Sequence, residues 1–109
     1  MNLNTVISLD KSTNPRVHFI GIGGAGMSGI ARIMLAKGFS VSGSDKNDSS
    51  VLKSLKVLGA QIHIGHSADN LKDCQLVIVS SAILENNPEL VAAKERGIQV
   101  TARAQALAW

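Results

Sequence analysis

The sequence runs to 109 residues, enough for one domain that buries about two-thirds of the surface its unfolded chain exposes. Apolar residues make up 45% and aromatics only 3%, so the core is aliphatic and alanine-rich, as suits a parallel sheet covered by helices. The net charge of +3 is scattered with no basic run among aromatics, the lone Cys74 excludes an internal disulfide, and no apolar stretch could span a bilayer, so nucleic-acid, disulfide-scaffold and membrane-spanning classes lack support.

Residues 1–15 show no strong period and read as a polar leader ending at Pro15, without the apolar stretch of a signal peptide; segment 6–9 is either an added strand or a surface piece. A cytoplasmic location is expected. Residues 16–20 form the first strand, buried on both faces. Gly21, Gly23 and Gly26 then fit G-x-G-x-x-G. The first glycine permits a tight turn, the second lets backbone approach a ligand, and the third lets helix and strand pack closely. The motif follows a strand, opens a helix and sits in a βαβ-sized unit, the context a phosphate-binding turn requires.

Met27, Ile30, Ala31, Met34 and Leu35 recur at helical spacing, and Gly38 stops that helix. Residues 40–45 form a short second strand with Val41 inward. Asp48 or Ser49 caps the next helix, whose Val51, Leu52, Leu55 and Leu58 line one face until Gly59. Residues 61–65 alternate as a third strand through Ile62 and Ile64, and 66–73 leaves room for one turn of helix. Residues 75–80 are the most apolar strand and take a central place. Asn87-Pro88-Glu89 supplies an N-cap, a proline at the first helical position and a first-turn acid; Leu90, Val91 and Ala93 give the apolar face, and Gly97 closes the helix. Residues 98–101 make a fifth strand, and 103–109 begins another helix.

Strand–helix alternation of this period argues for an α/β fold: a three-layer, Rossmann-like open sheet of five mainly parallel strands with right-handed crossovers, in the order 3-2-1-4-5. A ligand crevice then opens between strands 1 and 4 at their carboxyl ends. Those ends select the candidates. Asp45, 24 positions after Gly21, stands where a dinucleotide fold keeps its ribose-binding acid, or else it is a turn residue. Ser80 and Ser81 could donate to phosphate or sugar, or satisfy their own turn. Arg103 could reach an anion. His63, His66 and Cys74 lack the spacing of a zinc site, and Cys74 reads as a small hydrophobe. No serine sits in a nucleophile elbow, and the absence of any Gly-Lys dipeptide rules out a P-loop within the chain.

The stretch His18-Phe-Ile-Gly-Ile-Gly-Gly-Ala-Gly-Met-Ser-Gly-Ile-Ala31 extends well beyond the generic motif and resembles the start of the bacterial Mur ligases. Val41-Ser-Gly-Ser-Asp45, Val79-Ser-Ser-Ala-Ile83 with Asn87-Pro88-Glu89, and Arg103-Ala104 match in order; where the family often has Glu, this chain has Gln105. The resemblance implies a three-domain cytoplasmic enzyme of peptidoglycan synthesis that joins L-alanine to the lactyl carboxylate of UDP-N-acetylmuramic acid, using ATP and Mg²⁺ through an acyl phosphate. Residues 16–109 would be its N-terminal UDP-sugar-binding domain, with no cofactor of its own, no nucleic-acid or membrane partner, and the other ligase domains in cis. By the same carry-over, backbone amides of Gly23, Gly24, Ala25, Gly26 and Met27, following Gly21, would take the diphosphate. Ser44 and Asp45 would stand at the ribose or uracil, His66 would border the uridine pocket, and Ser80 or Ser81 would face diphosphate or sugar. An NAD(H)-binding oxidoreductase domain and a nucleotide-sensing module are the competing readings of the same glycines.

Overall fold

The computed structural model describes residues 15–24 and 26–102; the leader 1–14, Ala25, Arg103 and the helix expected over 103–109 lie outside them. Five strands form one sheet in the order β3-β2-β1-β4-β5, and every pairing is parallel. The chain runs β1 (Arg16–Ile20), α1 (Met27–Ala36), β2 (Ser40–Asp45), α2 (Ser50–Val57), β3 (Gln61–Ile64), a 3-10 turn (Ala68–Leu71), β4 (Leu76–Val79), α3 (Pro88–Glu95) and β5 (Gln99–Ala102). The expected order therefore holds. It turns the chain around at the β1–β4 junction, where the loops leaving the two strands diverge and open a crevice.

The boundaries moved by a residue or two, each for a visible reason. The fifth strand runs over 99–102 instead of 98–101, because the Ile98 amide donates back to the Ala93 carbonyl at the helix exit and the ladder starts at Leu76 opposite Gln99. The third strand stops at Ile64 because Gly65 takes a positive φ and turns the chain away. The fourth is confined to 76–79, inside the expected 75–80. Ser49, not Asp48, caps α2, its hydroxyl accepting from the Leu52 amide at 3.4 Å. Leu58 falls at the helix end and is 55% exposed, so Leu52 and Leu55 carry that buried face with the half-buried Val51 packed beside them. On α3 the inward residues are Leu90, Ala92 and Ala93, while Val91 points out. Ile64 is likewise exposed, leaving Ile62 to pack inward. Gly38, Gly59 and Gly97 all take the left-handed conformation that ends their helices.

Strand alternation splits the core into two layers. On one face Val17, Phe19, Val41, Leu76 and Ile78 pack against Met27, Ile30 and Met34 of α1 and Leu52 and Leu55 of α2. On the other, Ile20 and Val77 meet Leu71, Cys74 and the small α3 surface of Leu90, Ala92 and Ala93. That second face is not purely apolar: His18, Ser42 and Ser44 point into it and are buried. On the first face the closest approach is at Gly43, where a Cβ would lie 2.4 Å from Ile22 Cδ1 and 2.7 Å from Ile22 Cβ. Ile22 is fully buried and belongs to the glycine turn, so it has nowhere to move. Gly43→Ala is expected to lower stability by about 1–3 kcal/mol, read as a lower urea midpoint at unchanged slope; an unchanged midpoint would show that the turn yields freely.

Candidate functional site

The glycine turn is held from β2. The Ser44 carbonyl accepts from the amides of Gly21 and Ile22 at 2.8 and 3.0 Å, fixing the exit from β1. Asp45 Oδ2 accepts from the Gly23 amide at 2.8 Å, and its Oδ1 accepts from the Lys46 amide at 2.8 Å. A side chain on Gly23 would run into that carboxylate, since its Cβ would lie 2.8 Å from Asp45 Oδ2. Gly26 takes φ +80° and leads into α1 as a left-handed residue that a branched side chain would strain. Here α1 differs from its two neighbours. Ser49 caps α2 and Asn87 caps α3, but α1 begins with no capping side chain, leaving the positive end of its dipole uncompensated from within.

Several expected amide donors already have partners. The Gly23 amide is held by Asp45, the Gly24 amide donates to the Gly21 carbonyl at 3.0 Å, and the Met27 amide donates to the Gly24 carbonyl at 3.0 Å. The side chain of Met27 is wholly buried in the core. An anion at the turn would thus be attracted by the open end of α1 more than by this string of amides. Ala25 lies outside the described residues.

Around the turn lies a cleft of about 680 Å³ at the carboxyl ends of the strands. Gly21, Gly24, Asp45, His66 and Ser80 line it, so five of the expected residues converge on one space from β1, β2, β3 and β4. Its far wall is the segment after β4, with Ile83, Leu84 and Asn87. The Ser80 hydroxyl accepts from the Ala82 amide at 3.3 Å, the self-satisfying turn weighed above, yet the residue still faces the cleft. Ser81 is exposed and is not part of the lining, and Gly23, Gly26, Met27 and Ser44 support the cleft without lining it.

Beneath the cleft floor is a buried polar network that inspection of the chain did not single out. The carboxylate of Glu89, at the second position of α3, is fully buried against the second sheet face. Its Oε1 accepts from His18 Nε2 at 2.5 Å and from the Ser44 hydroxyl at 2.7 Å; its Oε2 accepts from the Ser67 amide at 3.0 Å and from Asn70 Nδ2 at 2.9 Å. His66 Nδ1 lies 2.8 Å from Ser44 Oγ and 3.5 Å from Glu89 Oε2, and His18 Nδ1 lies 2.7 Å from Ser42 Oγ. Burial pushes the Glu89 carboxyl up, but the hydrogen bonds from His18, Asn70 and Ser44 together outweigh it and hold it down at about 2, so the group is an anion at neutral pH. Four donors meet four lone-pair directions, which is what keeps a buried charge tolerable. The available signal was indirect: a histidine inside a strand buried on both faces must find a partner, and Ser42 and Ser44 share one face of the next strand.

His63 and Cys74 do not line the cleft. Burial and then Asp73 push the Cys74 thiol up to about 11, so it behaves as a small apolar group. Burial, with His18 and Lys72 adding to it, lowers the His63 pKa, and no cluster of three or more His, Cys, Asp or Glu that could hold a metal occurs among the described residues. No helix among them is long and apolar enough to cross a membrane.

Comparison with known proteins bears on the family and the fold. The sequence model described as the Mur ligase family, catalytic domain, matches residues 16–109. A UDP-N-acetylmuramate–L-alanine ligase from Thermobifida fusca is 56% identical over 108 residues, covering 93% of this chain and 23% of that protein. The crystal structure of UDP-N-acetylmuramate-alanine ligase from Thermotoga maritima superposes with a TM-score of 0.79 at 38% identity, covering 82% of this chain and 21% of that one. A putative NAD-dependent epimerase/dehydratase from Bacillus halodurans shares the fold alone, at a TM-score of 0.59 and 17% identity over 81% of this chain and 50% of that one. The chain spans about a fifth of the length of the curated relatives it matches.

The Glu89 network makes stability depend on pH with a definite sign. The carboxyl is held below its ordinary value of 4.5, so its contribution is complete above that pH and is lost as the pH falls from 4.5 toward about 2. Urea titrations across that window are expected to show a loss of roughly 2–3 kcal/mol from this group. Glu89→Gln flattens that dependence and is less stable at neutral pH, because its amide nitrogen would face other donors. A variant as stable as the parent, with the same acid profile, would remove Glu89 from that role.

Proposed function

The chain belongs to the Mur ligase family, and from that membership we propose that it is the N-terminal domain that binds UDP-N-acetylmuramate in a ligase joining L-alanine to that sugar nucleotide. The observation that carries the reading is the cleft at the β1–β4 junction, lined by Gly21 and Gly24 of the glycine turn and by Asp45, with the uncapped start of α1 following that turn. The diphosphate would lie against the positive end of α1 beside Gly24 and Gly26, which suits two negative charges. Asp45 would accept from the ribose or uracil through the lone pairs not used by Gly23 and Lys46, while Ser80 donates to diphosphate or sugar. Ser81, exposed and away from the lining, contributes little to this arrangement.

Among the described residues there is no group of three or more His, Cys, Asp or Glu that could hold a metal ion, and the sequence has no Gly-Lys dipeptide for a P-loop. In this reading ATP and Mg²⁺ act from further domains in cis, and the work of this chain is to bind and orient the sugar nucleotide in the cytoplasm.

Isothermal titration of the chain with UDP-N-acetylmuramate, UDP and NADH tests the proposal. Binding of both uridine compounds and none of NADH is expected; tight NADH binding without a response to either uridine compound would sink the reading. Asp45→Ala is expected to weaken UDP about tenfold or more, by removing an acceptor and loosening the Gly23 amide. Unchanged affinity would take Asp45 out of the site. Gly26→Val, which forces a branched side chain to φ +80°, is expected to abolish binding.

A further inference from the structure

Resting on the reading of the cleft as a uridine-nucleotide site, we propose that Glu89 and Ser44 are positioning residues that fix His66 as the tautomer protonated on Nδ1. Nε2 then meets the ligand as a lone-pair acceptor and reads a donor on its neutral end, not the diphosphate.

The Ser44 hydroxyl has one proton and two neighbours, Glu89 Oε1 at 2.7 Å and His66 Nδ1 at 2.8 Å. An ionised carboxylate brings no proton, so the contact with Glu89 must use the serine's own. The serine oxygen can then only accept from His66, which places a proton on Nδ1. The second carboxylate oxygen, 3.5 Å from Nδ1, favours the same arrangement. Glu89 cannot swing away to relax this, because His18, Ser67 and Asn70 hold its two oxygens from other directions. With Nδ1 protonated, the neutral ring carries its lone pair on Nε2. That nitrogen has no protein partner among the described residues, while the ring lines the cleft with its side chain 17% exposed.

A lone pair at that point repels a phosphate oxygen and asks for an N–H or O–H. The neutral half of a uridine nucleotide offers both, in the imide of the base and the hydroxyls of the ribose. The diphosphate is left to the open end of α1, across the cleft floor. Side chains that never touch the ligand thereby set which way round it lies.

Nitrogen-15 NMR of the histidine rings, at a pH above the ordinary imidazole range, reads the tautomer in this chain directly. His66, assigned with a His66→Gln variant, is expected to show a protonated Nδ1 and a bare Nε2; a ring protonated on Nε2 would overturn the proposal. Ser44→Ala is expected to shift His66 toward the Nε2-protonated form, and a folded variant with an unchanged ring would remove Ser44 and Glu89 from the positioning role. Should that variant fail to fold, the parent spectrum still decides. The ligand half is read by titrating UDP against its N3-methyl and its 2′- and 3′-deoxy analogues. A loss of about tenfold is expected for the base-modified or for a sugar-modified compound, and which one loses names the donor. Equal affinity for all of them would overturn the acceptor role. If UDP itself does not bind, the nucleotide reading and the ligand half fall together, while the spectra still judge the tautomer.

Discussion

A single buried carboxylate ties the second face of this domain together. Glu89 reaches from the first turn of α3 to His18 on β1, Ser44 on β2 and the Ser67–Asn70 segment after β3, so four stretches of chain converge on two oxygen atoms. A charge so placed is acceptable only when every lone pair is met and the helix start adds its own positive end. Asn87 supports that geometry by capping the same turn, its Oδ1 accepting from the Glu89 and Leu90 amides. The apolar area that α3 contributes to this face is small, Leu90 with two alanines, so the polar contacts set where the helix sits.

The glycine turn depends on a second carboxylate of a different kind. Asp45 stands at the cleft edge with both oxygens on backbone amides, one belonging to the turn itself. Anything that engages Asp45 from the cleft is therefore mechanically linked to the shape of the turn. The amides of Gly24 and Met27 are committed to bonds within the turn, and groups fixed in advance lose less entropy on binding.

The sheet order and the cleft could be read from the chain because both follow from local signals. Apolar runs of strand length, helix-ending glycines and a G-x-G-x-x-G turn each occupy a few consecutive residues, and right-handed crossovers leave little choice in assembling them. Five expected site residues met in one cleft for the same reason: they all stand at strand ends. What escaped were facts of register. His18 and Glu89 are 71 positions apart, and nothing in their neighbourhoods says that β1 and the start of α3 face each other. Glu89 was legible as a first-turn acid, a role that any solvated glutamate fills, and as part of a stretch matching the family, neither of which points to His18. Leu58 and Ile64 failed differently, since periodicity marks a face without saying where the neighbouring element stops covering it.

The middle strand of the sheet is the first one among the described residues. β1 pairs with β2 on one side and must wait for β4 on the other, some sixty positions later. On a ribosome, the His18 imidazole and the Ser44 hydroxyl therefore emerge well before the Glu89 carboxylate that joins them. The second layer is complete only once α3 has brought Leu90, Ala92, Ala93 and that carboxylate onto the sheet.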